Sequence, residues 1–197
     1  MKATIRGLLA LAAASLPAVA YAHTGAGPAD GLAHGFMHPI AGLDHVLAMV
    51  AVGMFATVLG GRALWLVPAS FVVMMAIGGL LGMENVNVPF VETGIAASVI
   101  VLGLAVALRW NPPTVAAMGI VSLFAVFHGY AHGTEMPLDS SGLQYAVGFM
   151  AATALLHGIG LGLGLTIGRA GANSATAMRF GGGAMALTGV GLLAGMI

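Results

Sequence analysis

The 197-residue chain has no cysteine and little charge: six basic and six acidic residues, 6% of the total. Without cysteine there are no disulfides, thiolate metal sites or cysteine nucleophiles. A bound metal must therefore use imidazole, carboxylate, thioether, water or backbone ligands. A soluble domain is roughly a quarter charged, so this chain could not cover itself with a polar surface. The formal net charge is zero, which leaves no basic footprint for nucleic acid. No ten-residue segment alternates in polarity as the strands of a membrane barrel would. No nucleotide-binding motif is present to couple the protein directly to ATP. The run HGIGLGLGLTIG (157–168) has glycine spacings reminiscent of a dinucleotide loop, but nothing around it reads as a strand.

What remains is apolar. Hydrophobic residues are 59% of the chain and the mean hydropathy is +1.03, which predicts an all-α integral membrane protein. Residues 1–22 read as a cleaved signal peptide: Lys2 and Arg6, the apolar GLLALAAASL, Pro17, then the small-x-small AYA. That apolar run is too short to span, since a span needs about 20 residues. Six apolar segments follow, at about 42–60, 63–82, 91–108, 114–132, 143–168 and 177–197. The expectation is a compact six-helix transmembrane domain over residues 23–197. The pairs Gly158/Gly162, Gly160/Gly164 and Gly164/Gly168 have the small-xxx-small spacing that lets helices approach closely.

Orientation follows from arginine. Arg62, Arg109, Arg169 and Arg179 fall at connections that face the cytoplasm if residue 23 is outside, whereas Glu84, Glu92, Glu135 and Asp139 fall on the other side. Signal peptide and arginines together predict a multi-pass membrane protein with both mature termini on the outer side.

Most of the seven histidines cluster. HGFMHPIAGLDH (34–45) precedes an apolar run and HGYAH (128–132) ends one. His128, His132 and Glu135 are spaced i, i+4, i+7, one stripe of a helix. His128 and Glu135 lie about 10 Å apart along the axis, so the stripe reads as a ladder of partial metal sites; the bland alternative is a set of interfacial capping residues. His38 and His45 are also seven apart. Pro39 suits a first helical turn, which would leave His38 just outside the helix. Asp44 either meets another helix, orients a histidine ring through its second nitrogen, or merely favours a helix N-terminus. His157 lies mid-span, equally a ligand or a packing residue. His34 is a further candidate. His23, with the α-amino group exposed by cleavage, is another, unless it is incidental to the cleavage site. The thirteen methionines read mainly as flexible filler. Imidazole and carboxylate without thiolate suit nickel, cobalt or zinc.

HPIAGLDHVLAMVAVGMFA (38–56) and FHGYAHGTE (127–135) closely resemble the two signatures of the HupE/UreJ family, bacterial inner-membrane nickel transporters associated with hydrogenase or urease maturation. The resemblance extends to the signal peptide, AHTG and the six-span layout. It implies that His38, Asp44, His45, His128, His132 and Glu135 handle the metal, with Ni²⁺ the cargo and Co²⁺ or Zn²⁺ alternatives. The competing reading is an intramembrane zinc-dependent hydrolase of the alkaline ceramidase kind, which also needs only a few histidines, an acid and an activated water. The expected partners are the metal ion and the lipid bilayer; no catalytic cofactor and no enzymatic activity are expected. Since imidazole must be neutral to bind metal, affinity should fall as pH drops through about 6.5.

Overall fold

The computed structural model describes residues 28–136, 142–169 and 171–196, and every regular element among them is helical. The signal peptide, His23 and Asp139 lie outside the described residues. Seven α-helices run α1 Pro28–Ala41, α2 Leu43–Leu59, α3 Ala63–Met83, α4 Val91–Ala107, α5 Thr114–Thr134, α6 Gly142–Gly168 and α7 Ser174–Leu193, with a 3₁₀ turn at Gly171–Asn173. The six apolar segments each form a helix, α2 to α7. Three of them, α3, α5 and α6, are long and apolar enough to cross a bilayer, and the bent pair of α1 and α2 makes up to four. Helices α2 and α4 have 17 residues each, about 26 Å at 1.5 Å per residue.

Helix α3 shows why these helices need lipid. Ala63, Val67, Phe71, Met75, Gly78 and Gly82 are buried along one side. The other side exposes Trp65, Val73, Ile77 and Leu80. A helix apolar all round has no face suited to water.

Helix α1 departs from the expected layout. His38 sits inside its last turn and Pro39 lies within it too. The break comes three residues after Pro39, at Gly42, where the chain bends by 83° into α2. The proline therefore ends a helix here instead of starting one. A proline lacks the N–H that would bond the carbonyl four residues back and its ring crowds that carbonyl, which favours a helix ending nearby.

Glycine sets the pairings. Helix α3 packs on α5, α4 on α7, and α6 on both α1 and α2. A Cβ at Gly78 or Gly82 would strike the carbonyls of Val126 or Tyr130, and one at Gly129 or Gly133 those of Met75 or Gly79. The i, i+4 glycines of α3 and α5 thus interlock backbone to backbone, the close approach that small residues allow. On α6, Gly160 meets Val50 and Gly164 meets Thr57, whereas Gly158, Gly162 and Gly168 have open space beside them. Of the glycine pairs expected on α6, only Gly160/Gly164 lies at an interface. The reversal between α2 and α3 uses Gly60 and Gly61, both left-handed at φ 69° and 52°, a conformation other residues adopt at a cost.

Arg109 lines one small cavity with Thr57, Gly168 and Ser174. Asp44 and Glu92 line another with Leu192 and Leu193. Thr57 and Asp44 stand at opposite ends of α2, so Arg109 and Glu92 mark different ends of that helix.

Candidate metal centre

The site lies where α1, the start of α2, and the last turns of α5 meet. His128 and His132 stand one turn apart on α5 and are buried, with Glu135 just beyond at the helix end. From α1, His38 reaches across to Glu135: its Nε2 donates to Oε2 at 3.0 Å. One donor atom each from His38, His132 and Glu135 lies within 4.8 Å of the others. Atoms so placed could hold one ion between them. Metal–nitrogen and metal–oxygen bonds near 2 Å place ligands about 3 Å apart.

A second group lies immediately inward. The His45 ring centre is 4.3 Å from that of His132 and 4.7 Å from that of His128, and His38 is 4.7 Å from His132 on the other side. The imidazoles therefore run His38, His132, His45, His128, each edge-on to the next. His132 belongs to both groups. Among the described residues this file begins half-exposed at His38, whose side chain is 27% exposed, and ends at His128, fully buried.

Asp44 and His45 are adjacent in sequence, and their side chains meet. The His45 amide and Nδ1–H both donate to Asp44 Oδ1, at 2.8 and 2.7 Å. The carboxylate thus holds its neighbour's ring by one nitrogen and leaves Nε2 without a protein partner. This is the arrangement by which an outer carboxylate orients a metal-binding histidine. Gly42 makes room for it. A Cβ there would lie 2.8 Å from Asp44 Oδ1 and 3.0 Å from His45 Nδ1.

The buried rings have unused valence. His45 Nε2, His128 Nδ1, and both nitrogens of His132 and of His157 have no hydrogen-bond partner among the described residues. A buried polar group left unpaired costs about 1–3 kcal/mol. Those of His45, His128 and His132 lie close together, and a cation bound among them would take up one lone pair from each neutral ring. The donor set of imidazole and carboxylate fits a divalent transition ion.

The remaining candidates are peripheral. His34 is exposed, 6.0 Å from His38 by ring centres and edge-on to Tyr145. His157 is set apart by Phe71, whose ring lies 5.7 Å from His128 and 5.2 Å from His157. Three contacts escaped the sequence: Phe71 between those histidines, Tyr145 beside His34 and His38, and Ser98, whose Oγ is 2.8 Å from His128 Nε2. Each is an ordinary member of an apolar helix by sequence, so no local pattern announces it.

A family model described as "HupE / UreJ protein" matches residues 9–192. The chain belongs to the HupE/UreJ family. Protein HupE of Rhizobium leguminosarum bv. viciae is 50% identical to it over 186 residues, 94% of this chain and 95% of that protein. No solved structure matches. Both HupE/UreJ signatures, 38–56 and 127–135, fall within the matched region and supply the two sides of the site described above. The family's accessory and transport character agrees with a non-catalytic protein.

Proposed function

We propose that this HupE/UreJ protein takes up a divalent transition metal, Ni²⁺ first, across the bacterial inner membrane through two adjoining stations. The outer station is His38, His132 and Glu135; the inner is His132, His45 and His128, with Asp44 orienting His45. The observation that carries this reading is the convergence of His38, His132 and Glu135 donor atoms within 4.8 Å, from helices far apart in sequence. Because His132 is common to both stations, an ion can exchange ligands from one to the next without returning to water. Asp44 and Glu92 line a cavity of about 250 Å³ beside the inner station, and their charge would favour cations there. Family membership supports nickel as the cargo; cobalt and zinc suit the same donors. The hydrolase reading gains no support from the comparisons.

Six spans, α2 to α7, follow cleavage of the signal peptide, with α1 lying outside as a helix folded back over the mouth. Both mature termini are periplasmic. His23 and His34 collect the ion at the surface, and His157 receives it beyond Phe71.

Liposomes containing the purified protein should accumulate labelled nickel. His132→Ala, which removes the shared ligand, and Asp44→Ala should each abolish most of that uptake. Parental rates in correctly inserted variants would refute the pathway. Competition with cobalt and zinc ranks the cargo.

A further inference from the structure

Ser98 lies on α4, outside both signatures, and is completely buried. Its hydroxyl makes two contacts. Oγ is 2.6 Å from the carbonyl oxygen of Ile95 on its own helix and 2.8 Å from His128 Nε2. A hydroxyl has one hydrogen. Two oxygens at 2.6 Å without a hydrogen between them repel, so that hydrogen lies on the line to Ile95, the back-bond usual for serine in a helix. Oγ then has only lone pairs left for His128, and a lone pair is satisfied only if Nε2 carries the ring proton. In the neutral ring the other nitrogen, Nδ1, is then the lone-pair atom. Nδ1 is the His128 nitrogen with no partner among the described residues.

We propose that Ser98 is a positioning residue that fixes His128 as the Nε2–H tautomer and so presents Nδ1 to the metal path. His45 is fixed in the opposite sense: Asp44 takes its Nδ1–H, leaving Nε2 as the free atom. The two neighbouring rings, 4.7 Å apart and at 90°, are thereby each held by one nitrogen from behind. A carboxylate does this at the half-exposed helix start. A neutral hydroxyl does it at the fully buried position, where a second carboxylate would bring a charge that is costly inside a membrane. The inference rests on the metal-uptake reading for its functional consequence, and on Ser98 geometry alone for the tautomer.

The test separates those two. Nitrogen-15 NMR of the metal-free full-length protein, labelled at histidine, distinguishes the tautomers by the shifts of the protonated and unprotonated ring nitrogens. The His128 signals are those that vanish in His128→Asn. The expected result is a protonated Nε2 in the parent, a mixed or reversed tautomer in Ser98→Ala, and the parental tautomer in Ser98→Thr, which keeps the hydroxyl. Calorimetric Ni²⁺ affinity should fall about 10- to 100-fold in Ser98→Ala, the usual loss for an outer hydrogen-bond partner, and recover in Ser98→Thr. A parental His128 protonated at Nδ1 overturns the proposal, as does a Ser98→Ala protein with unchanged tautomer and affinity. The parental spectrum needs no variant, so a misfolded Ser98→Ala does not shield the proposal. If the parent shows the Nε2–H tautomer yet binds no nickel, the uptake reading fails and the role of Ser98 in setting the tautomer stands.

Discussion

At the scale of single residues, the site depends on small side chains as much as on its ligands. Gly42 is the clearest case. Its backbone, at φ −93° and ψ 120°, is open to any residue, so only the space matters: a methyl group would press on the Asp44–His45 pair. Gly42→Ala should leave insertion and folding intact while weakening nickel binding about 10-fold, the low end of the loss when an orienting partner is displaced. Calorimetry beside a thermal unfolding curve checks this. Parental affinity in Gly42→Ala would mean that the pair tolerates displacement. The placing of His128, His132 and Glu135 along one side of α5 was legible from spacing. The Asp44–His45 contact was open between several partners, because helical periodicity places side chains on a face but does not say how a side chain folds back on its neighbour at a helix start. Ser98 was illegible for a simpler reason. Within GIAASVIVLGL it is one small residue among many, and only packing of α4 against α5 gives it His128 as a partner.

At the scale of helices, the apolar segments were legible to within a few residues; α3, for example, was expected at 63–82 and runs Ala63–Met83. Helix α1 was not foreseen. Its sequence, PADGLAHGFMHPIA, mixes two prolines and two glycines with histidines, and intrinsic propensity argues against a helix there. Tertiary contact overrides it. Gly35 seats against the Tyr145 carbonyl, and Gly148 against that of Leu32, fastening α1 to α6. The α3–α5 pair offers the sharper prediction. Gly129 lies against the Met75 backbone, which cannot give way as a side chain would, and it sits one residue from His128. Gly129→Val should therefore destabilise the protein by about 1–3 kcal/mol, the range for overpacking, and lower the midpoint of thermal unfolding in detergent. The same substitution at Gly158, which faces open space, should leave that midpoint unchanged. Equal midpoints for the two valine variants would dismiss the interlocked backbone as a source of stability.

At the scale of the whole molecule, the lack of cysteine makes the orientation directly measurable, since any introduced thiol is the only one. Asn87, in the exposed connection between α3 and α4, and Asn111, in that between α4 and α5, should lie on opposite sides. In intact cells with a permeable outer membrane, a thiol reagent unable to cross the inner membrane should label Asn87→Cys and spare Asn111→Cys until the cells are broken. The reverse pattern would invert the topology and with it the direction assigned to the site. Membrane character was plain from composition, because a scarcity of charge constrains the entire surface at once. The three-dimensional partition of the ligands was not, since it depends on which helices pair.

That partition has a mechanical side. His38, Asp44 and His45 ride on α1 and α2, which are both fastened to α6, whereas His132, His128 and Glu135 ride on α5, which is interlocked with α3. The proposed ligands thus come from two helix groups that face each other across a seam, bridged by the His38–Glu135 hydrogen bond at one end and by Thr153 on Met75 deeper in. On the proposed reading, an ion bound there would part His38 from Glu135 and hold both itself. Its departure inward would let the two side chains close on one another again.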